Sequence, residues 1–367
     1  MNCTPGSESG RTGHCQAMLH LHFSNRLPVL TERLMRQLAM QAGGVFDVHE
    51  IIVPSAAVQR AVLRSVADTH GICANLSFDK LARWLWRVTA RLVPGVSGES
   101  PFQPDMLAWQ ILAVLDEADF VAALPRLQRY LAASDPVMRY ELAQRIATLF
   151  DQYITYRSDW LEHWSAGEDA VPLLHGSGAA DVAWQSDLWR RLLARLGAAE
   201  RHPRQQFIEG LGDPAKAALL PPAVHLFALP SIPPLYVEWL QAMAGHMEIH
   251  LYVLNPCAEY WADIVSERRL ALLAERGEAA GHEVGNPLLA AWAGSTRTYF
   301  ATLIEAFGDH QEDDPSAFPA SPGDTLLAQL QNRILQLEDL APGSLSLCSE
   351  DRSLEVHVCH SLTRQLE

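Results

Sequence analysis

Short apolar runs bounded by proline, serine or asparagine recur near both ends of the chain, with amphipathic stretches between them. Five of these runs read as buried strands: Leu19–Phe23, Glu50–Pro54, Ala223–Leu229, Glu248–Leu254 and Leu354–Cys359. The segment Asn25–Ala42 places apolar residues at Leu27, Leu30, Leu34, Leu38 and Met40, the recurrence of one helix face. Val58–Thr69 repeats that pattern. Strands joined through helices predict an α/β fold with a parallel sheet and helices on its faces.

Between about Pro101 and Pro222 the strand pattern nearly vanishes. Leucine, alanine, arginine and tryptophan dominate there, in helical segments such as Asp105–Leu115 and Val137–Tyr156. The expected organisation is an all-helical insert domain at 101–222 that splits an α/β domain into 19–100 and 223–367. Within the second part, Gly308–Asp324 reads as a polar surface loop and Thr325–Leu340 as a helix. Ser361–Glu367 reads as a helix cut off after its first turn, so a fragment or an early truncation is expected. Residues 1–18 are polar and Gly/Ser-rich without the apolar centre of a secretion signal. They are expected to form a disordered extension, or to precede a natural start at Met18.

With 367 residues, of which 49% are hydrophobic, the chain can bury a substantial core, and its length favours roughly two domains. No apolar run approaches the ~18 residues that a membrane span requires. A soluble, cytoplasmic chain is expected. Six cysteines are scattered without a CxxC pair, which argues against structural zinc and against a disulfide framework. The formal net charge of −15 confines any nucleic-acid contact to a local stripe or channel, or to surfaces shared with partners.

Lys80 and Lys216 are the only lysines, and they make several tests clean. A phosphate-binding loop of the form GxxxxGK[ST] needs lysine after glycine, whereas Lys80 follows Asp79 and Lys216 follows Ala215. The first strand runs directly into Ser24-Asn25-Arg26-Leu27-Pro28, where a helicase places that loop. ATP hydrolysis by this chain is therefore not expected, and no cofactor is expected within it. A restriction-type nuclease core usually needs a lysine beside its carboxylates, and neither lysine sits in such a setting. GxSxG, HExxH and GxGxxG motifs are absent as well. His20 and His22 share one face of a strand, as do His357 and Cys359. Each pair is half a metal site without a complement nearby in sequence, so structural histidines are the expected reading.

Two stripes carry possible nucleic-acid chemistry. Arg83, Arg87 and Arg91 are four apart on one helix, with Trp84 and Trp86 interleaved. Arginine to phosphate and aromatic to base is how single-strand channels hold a backbone. The alternative is a solvated arginine face with tryptophans in the core. The second cluster is Leu149–Trp160, in which Asp151, Gln152 and Arg157 can reach base edges or phosphate. Asp159 reads more simply as an acid at the start of the next helix.

These segments are also where a family resemblance lies. Ser24-Asn25-Arg26-Leu27, Gly71-Ile72-Cys73-Ala74-Asn75, LFDQYxxYRxDW at Leu149–Trp160, EIHLYVLNPC at Glu248–Cys257, VGNPLLAA at Val284–Ala291 and HVCHS ending at Ser361 resemble the RecC family in order and spacing. The resemblance runs from about Met18 to the C-terminus and matches the N-terminal portion of much longer proteins. It implies a superfamily 1 helicase-like domain without a P-loop, acting as a DNA-binding scaffold in a RecBCD-type helicase–exodeoxyribonuclease. RecB-like and RecD-like subunits and DNA are the implied partners, with ATP and magnesium used by those subunits. Strand channelling, recognition of the Chi recombination signal and double-strand break repair are the implied roles.

By the same resemblance, Trp86, Leu149, Asp151, Gln152 and Arg157 match residues that line the Chi-scanning channel. Pro54, Arg60, Lys80 and Thr148 depart from the family pattern of glutamine, glutamine, leucine and aspartate, so the recognised sequence is expected to differ or recognition to be lost. The neighbourhood of Arg201 cannot be aligned securely. Three other readings stay open: a helicase with an unrecognised nucleotide site, a truncated remnant, and an AddB-like subunit of a related helicase–nuclease.

Overall fold

The computed structural model describes residues 19–41, 44, 46–169, 179–197, 204–307, 314–338, 343, 348–361 and 363–364. The expected extension at 1–18 and the neighbourhood of Arg201 lie outside them. The chain opens with β1 (Leu19–Ser24), α1 (Leu27–Met40), β2 (His49–Ile52), α2 (Ala56–His70), β3 (Leu76–Asp79) and α3 (Leu81–Leu92). Helices follow: α4 (Pro104–Leu115), α5 (Ala118–Ala122), α6 (Pro125–Ala133), α7 (Pro136–Tyr156), α8 (Ser158–Ser165), α9 (Ala179–Leu196), α10 (Arg204–Leu211) and α11 (Pro214–Ala217). The sheet resumes with β4 (Ala223–Phe227), α12 (Pro234–Met243) and β5 (Glu248–Leu254). The remaining helices are α13 (Glu267–Glu275), α14 (Pro287–Trp292), α15 (Gly294–Phe307) and α16 (Leu326–Leu335).

All strand pairings are parallel, in the order β1-β5-β4-β2-β3. Strand alternation sorts the side chains onto two faces. Leu19, Leu21, Phe23, Val224, Leu226, Ile249, Leu251 and Val253 point into a core with α3, α12 and α15. Ile51, Val53, Phe227 and Tyr252 point the other way, against Leu30 and Leu34 of α1 and Val62 and Val66 of α2. Helices therefore cover both faces, as a parallel sheet requires.

The expected crossover helices form where the sequence directs them. The Ser55 hydroxyl accepts the Val58 N–H at the start of α2, and Gly71 ends that helix with φ of 75°, a conformation that lacks a Cβ penalty only in glycine. Helices α4 to α9 enclose a second core around Ile111, Phe150, Trp164 and Trp189. Phe207 and Leu211 of α10 belong instead to the core of the sheet.

Two expectations are corrected. Leu354–Cys359 alternates like a strand but is not one; Val356 and Val358 are 91% and 94% exposed and the segment pairs with no described strand. The fifth strand is β3, whose LSFD sequence is too short and too weakly β-branched to stand out. The stretch read as a surface loop at Gly308–Asp324 is described from residue 314. There it buries Ala317 and Ser321 against the turn between β1 and α1, so it acts as a strap.

On the α1 side of the sheet, histidines stand across three strands. His20 and His22 of β1 and His225 of β4 flank His250 of β5, with near-parallel rings at centroid distances of 4.6, 5.6 and 4.9 Å. His225 also meets the Tyr252 hydroxyl and the Gln41 side chain, each at 3.1 Å, and Gln41 in turn meets His49. Burial, reinforced by the neighbouring imidazoles, lowers the pKa of His225 to about 2 and that of His22 to about 3. Both are neutral when folded but accept protons near pH 6.5 when unfolded. Their contribution to stability is thus complete above about pH 6.5 and is lost as pH falls toward their folded values. Each pH unit below 6.5 removes about 1.4 kcal/mol per histidine. Urea unfolding at pH 7.5 and pH 5 is expected to differ by about 4 kcal/mol from this pair, and His225→Gln to flatten the profile. A profile that His225→Gln leaves unaltered would exclude the neutral-imidazole account.

Candidate nucleic-acid interface

Helix α7 is built to carry a posed C-terminal end. Asp135 accepts the Met138 N–H at 2.8 Å and Pro136 fits the first helical position, so the helix starts cleanly. Ala143, Ile146, Ala147, Phe150 and Ile154 form its buried face. The helix stops at Arg157, whose φ of −137° and ψ of 45° turn the chain directly into α8.

Arg157 is fixed on two sides. Its Nε and Nη2 donate to Asp159 Oδ1 and Oδ2 at 3.0 and 2.9 Å, a bidentate pair. Its guanidinium carbon lies 3.9 Å from the Trp160 ring centroid. Asp159 sits in the first turn of α8, as expected of a helix-start acid, and it also orients the arginine. The pair is partly exposed and is worth little as a stability element. Its consequence is a planar donor group held in one orientation at the surface, with Nη1 facing away from Asp159.

The other α7 residues flank it. Gln152 is exposed, and Leu149 and Asp151 are half-buried. Burial raises the Asp151 carboxyl above the ordinary range. Tyr236 of α12 lies close by; burial raises its phenol, and Asp151 and Tyr156 push in the same direction. Thr148, one helical turn before Gln152, lines a cleft of about 380 Å³ with Pro104, Asp105, Glu141, Gln144 and Arg145.

Trp86 does not join this surface. It is buried, donates its indole N–H to the Ser97 carbonyl at 2.9 Å, and meets Phe102 edge-on. Phe102 contacts Trp189, which stacks on Phe150 of α7 at 5.7 Å. Trp86 therefore supports the Leu149–Arg157 segment through a chain of rings.

The arginine stripe has carboxylate partners. Arg83 pairs with Asp79, Arg87 with Asp79 at 3.1 Å and Glu50 at 3.6 Å, and Arg91 with Glu50 at 3.7 Å. Trp84 is fully buried and donates to Glu50. The stripe thus stands over the β2–β3 edge with its charge largely matched. Pro54 and Lys80 follow β2 and β3, and Arg60 lies early in α2, so these three residues lie beyond the C-terminal ends of those strands.

The turn after β1 is closed by the chain itself. Ser24 Oγ donates to the Ala317 carbonyl at 2.6 Å, and Asn25 Nδ2 to the Pro319 carbonyl at 3.0 Å. Arg26 donates to Ser321 Oγ, and the buried Arg33 pairs with Asp314. Hydrogen bonds from Ser316, then from Arg33, hold the Asp314 carboxyl below its usual range. Pro28 opens α1 without an N–H, where an anion-binding helix start needs donors.

This geometry defines a parallel α/β protein whose first strand–helix turn is occupied by its own strap. Residues 19–337 match the family model described as RecC, N-terminal domain. The chain belongs to the RecC family. It is 32% identical over 95% of its length to the RecBCD enzyme subunit RecC of Escherichia coli (strain K12). It is 29% identical over the same share to the corresponding subunits of Haemophilus influenzae and Mycolicibacterium smegmatis. The chain spans about a third of the length of these relatives, at 34%, 36% and 31%.

The sequence singles out the Leu149–Arg157 segment as a candidate but does not show the bidentate hold by Asp159 or the proximity of Tyr236. The first was accessible as an Arg-x-Asp spacing across a helix start; the second needed the fold. Phe150→Ala is expected to cost about 3–5 kcal/mol, because it hollows the core beneath the segment. Gln152→Ala on the exposed face is expected to stay within about 0.5 kcal/mol. Chemical denaturation of both variants checks the contrast.

Proposed function

We propose that this chain is the N-terminal part of a non-catalytic scaffold subunit in a RecBCD-type helicase–nuclease. It acts in double-strand break repair by homologous recombination, helping to channel DNA strands and to recognise Chi. The observation that carries this reading is the family match across 19–337, which spans sheet and helices alike. On this reading the sheet is a helicase-like core without a P-loop, 101–222 is its helical insert, and RecB-like and RecD-like subunits are the partners. A cytoplasmic complex is part of this reading. No described helix is long and apolar enough to cross a membrane.

The turn after β1 supports a role without nucleotide hydrolysis, since its Ser24 and Asn25 side chains are engaged by strap carbonyls. ATP and magnesium then serve the partner subunits. Arg157 is the residue best placed to contact a strand: its guanidinium is oriented before any ligand arrives, which reduces the ordering cost of binding. Asp151 and Gln152 add hydrogen-bonding groups on the same helix end, and Leu149 adds apolar contact. Trp86 supports them from below. The arginines at 83, 87 and 91 form a secondary phosphate surface only where phosphate displaces Asp79 or Glu50.

Co-expression of the complete gene with RecB-like and RecD-like subunits tests the assignment, and failure to co-purify with either would sink it. Within such a complex, Arg157→Ala is expected to weaken or alter the Chi response while unwinding persists. Loss of one specifying contact typically costs about 1–3 kcal/mol, enough to abolish a marginal recognition event. An unchanged Chi response would remove Arg157 from the site. ATP binding by the full chain at millimolar nucleotide would favour the alternative of a helicase with an unrecognised site.

A further inference from the structure

His20 and His22 lacked a complement nearby in sequence, but the fold supplies one. Parallel pairing sets His20 of β1 directly opposite His250 of β5. Glu248 precedes His250 by two residues and so shares its face. Ligand-capable atoms of His20, Glu248 and His250 all lie within 4.8 Å of one another. We propose that these three side chains bind one divalent first-row transition ion, of which Zn²⁺ is the physiological candidate.

The geometry suits such an ion. Zinc bonds of about 2.0–2.1 Å in a tetrahedron place neighbouring ligand atoms about 3.3–3.4 Å apart. His250 Nε2 and Glu248 Oε2 stand 3.4 Å apart. His20 is on the exposed side and stacks near-parallel on His250 at 4.6 Å, so its ring must turn out of that stack for its lone pair to meet the same ion. His250 is buried and cannot swing away. Its other nitrogen, Nδ1, lies 3.3 Å from His22 Nε2. With an ion on Nε2 in place of the Nε2–H that Glu248 would accept, the proton rests on Nδ1 and can be donated to His22, the support that metal-bound histidines ordinarily have. Two imidazoles and one carboxylate select a borderline ion over magnesium or calcium, which take oxygen ligands. Water completes the coordination on the open side.

The ion joins the N-terminal halves of β1 and β5. Since β1 is an edge strand whose sheet partner is β5, the site fastens that edge and is independent of the DNA-binding reading. The test uses the full untagged chain, stripped with chelator and dialysed against micromolar Zn²⁺ alone, with the bound metal measured by elemental analysis. Co²⁺ substitution read by visible absorption reports the ligand geometry. One ion per chain is expected, with affinity falling at least about tenfold in both His20→Ala and Glu248→Gln. These side chains lie on the exposed side, and unchanged far-UV circular dichroism verifies that each variant is folded. Absence of stoichiometric zinc in the parent chain overturns the proposal. So does binding that either variant leaves unchanged, because the bound ion is then held by another set of groups.

Discussion

The rest of the structure depends on the pairing of β1 with β5 and of β2 with β4. These contacts bring strands from before and after the helical stretch into one parallel sheet, with β1 at its edge. Everything from α3 to α11 is then a closed excursion that must leave the sheet and return in register. Loop-closure entropy tolerates this, since doubling the length adds only about 0.6 kcal/mol. The excursion nevertheless needs apolar burial to offset the ordering of its own residues. The second core around Phe150, Trp164 and Trp189 supplies it. A sheet assembled from such distant strands also implies slow folding relative to a helical bundle of equal size.

The same register builds both polar features of the sheet. Setting β1 beside β5 lines up His20 with His250 and His22 with Tyr252, producing a polar row that neither strand encodes alone. It also places the end of β1 where Ser24, Asn25 and Arg26 receive the 314–321 strap. In a nucleotide-binding protein the donors at this turn would face phosphate. Here side-chain and backbone groups satisfy one another, and Arg33 holds the far end of the strap through Asp314. Ser24 Oγ, Asn25 Nδ2 and the Arg26 guanidinium are thus bonded within the chain, while Asn25 Oδ1 is buried without a hydrogen-bond partner.

Much of this was legible in the sequence, and the exceptions have physical causes. Four of the five strands stand out as short apolar runs, β4 and β5 being buried on both faces, and the helices at α1, α2, α4 and α7 each turn apolar residues to a core. Leu354–Cys359 shows that alternation alone is insufficient: a strand exists only where a neighbour completes its hydrogen bonds, and the described chain provides none. Leu76–Asp79 is the converse, a weak pattern made into a strand by pairing with β2. At the candidate interface, LFDQYxxYRxDW was visible as a motif, and Arg157 with Asp159 is local enough to be read from spacing. The burial of Trp84 and Trp86 was an open alternative in the arginine stripe, and a helix turn alone could not decide it. The histidine row was invisible because its members are separated by the entire helical excursion.

Electrostatics limits how this chain could meet any polyanion, the proposed DNA strand included. With a formal net charge of −15, long-range attraction of phosphate is not available. Many of the arginines are also matched to acids. Arg191 alone contacts Glu117, Asp119 and Asp187, while Arg83, Arg87 and Arg91 share Asp79 and Glu50. A phosphate approaching such a pair must displace a carboxylate, so the net gain is small unless the geometry is held for it. Arg157 differs in kind. Its acid partner takes one edge of the guanidinium, its aromatic partner takes one face, and the remaining edge is aimed without further ordering. A contact built this way relies on orientation more than on charge.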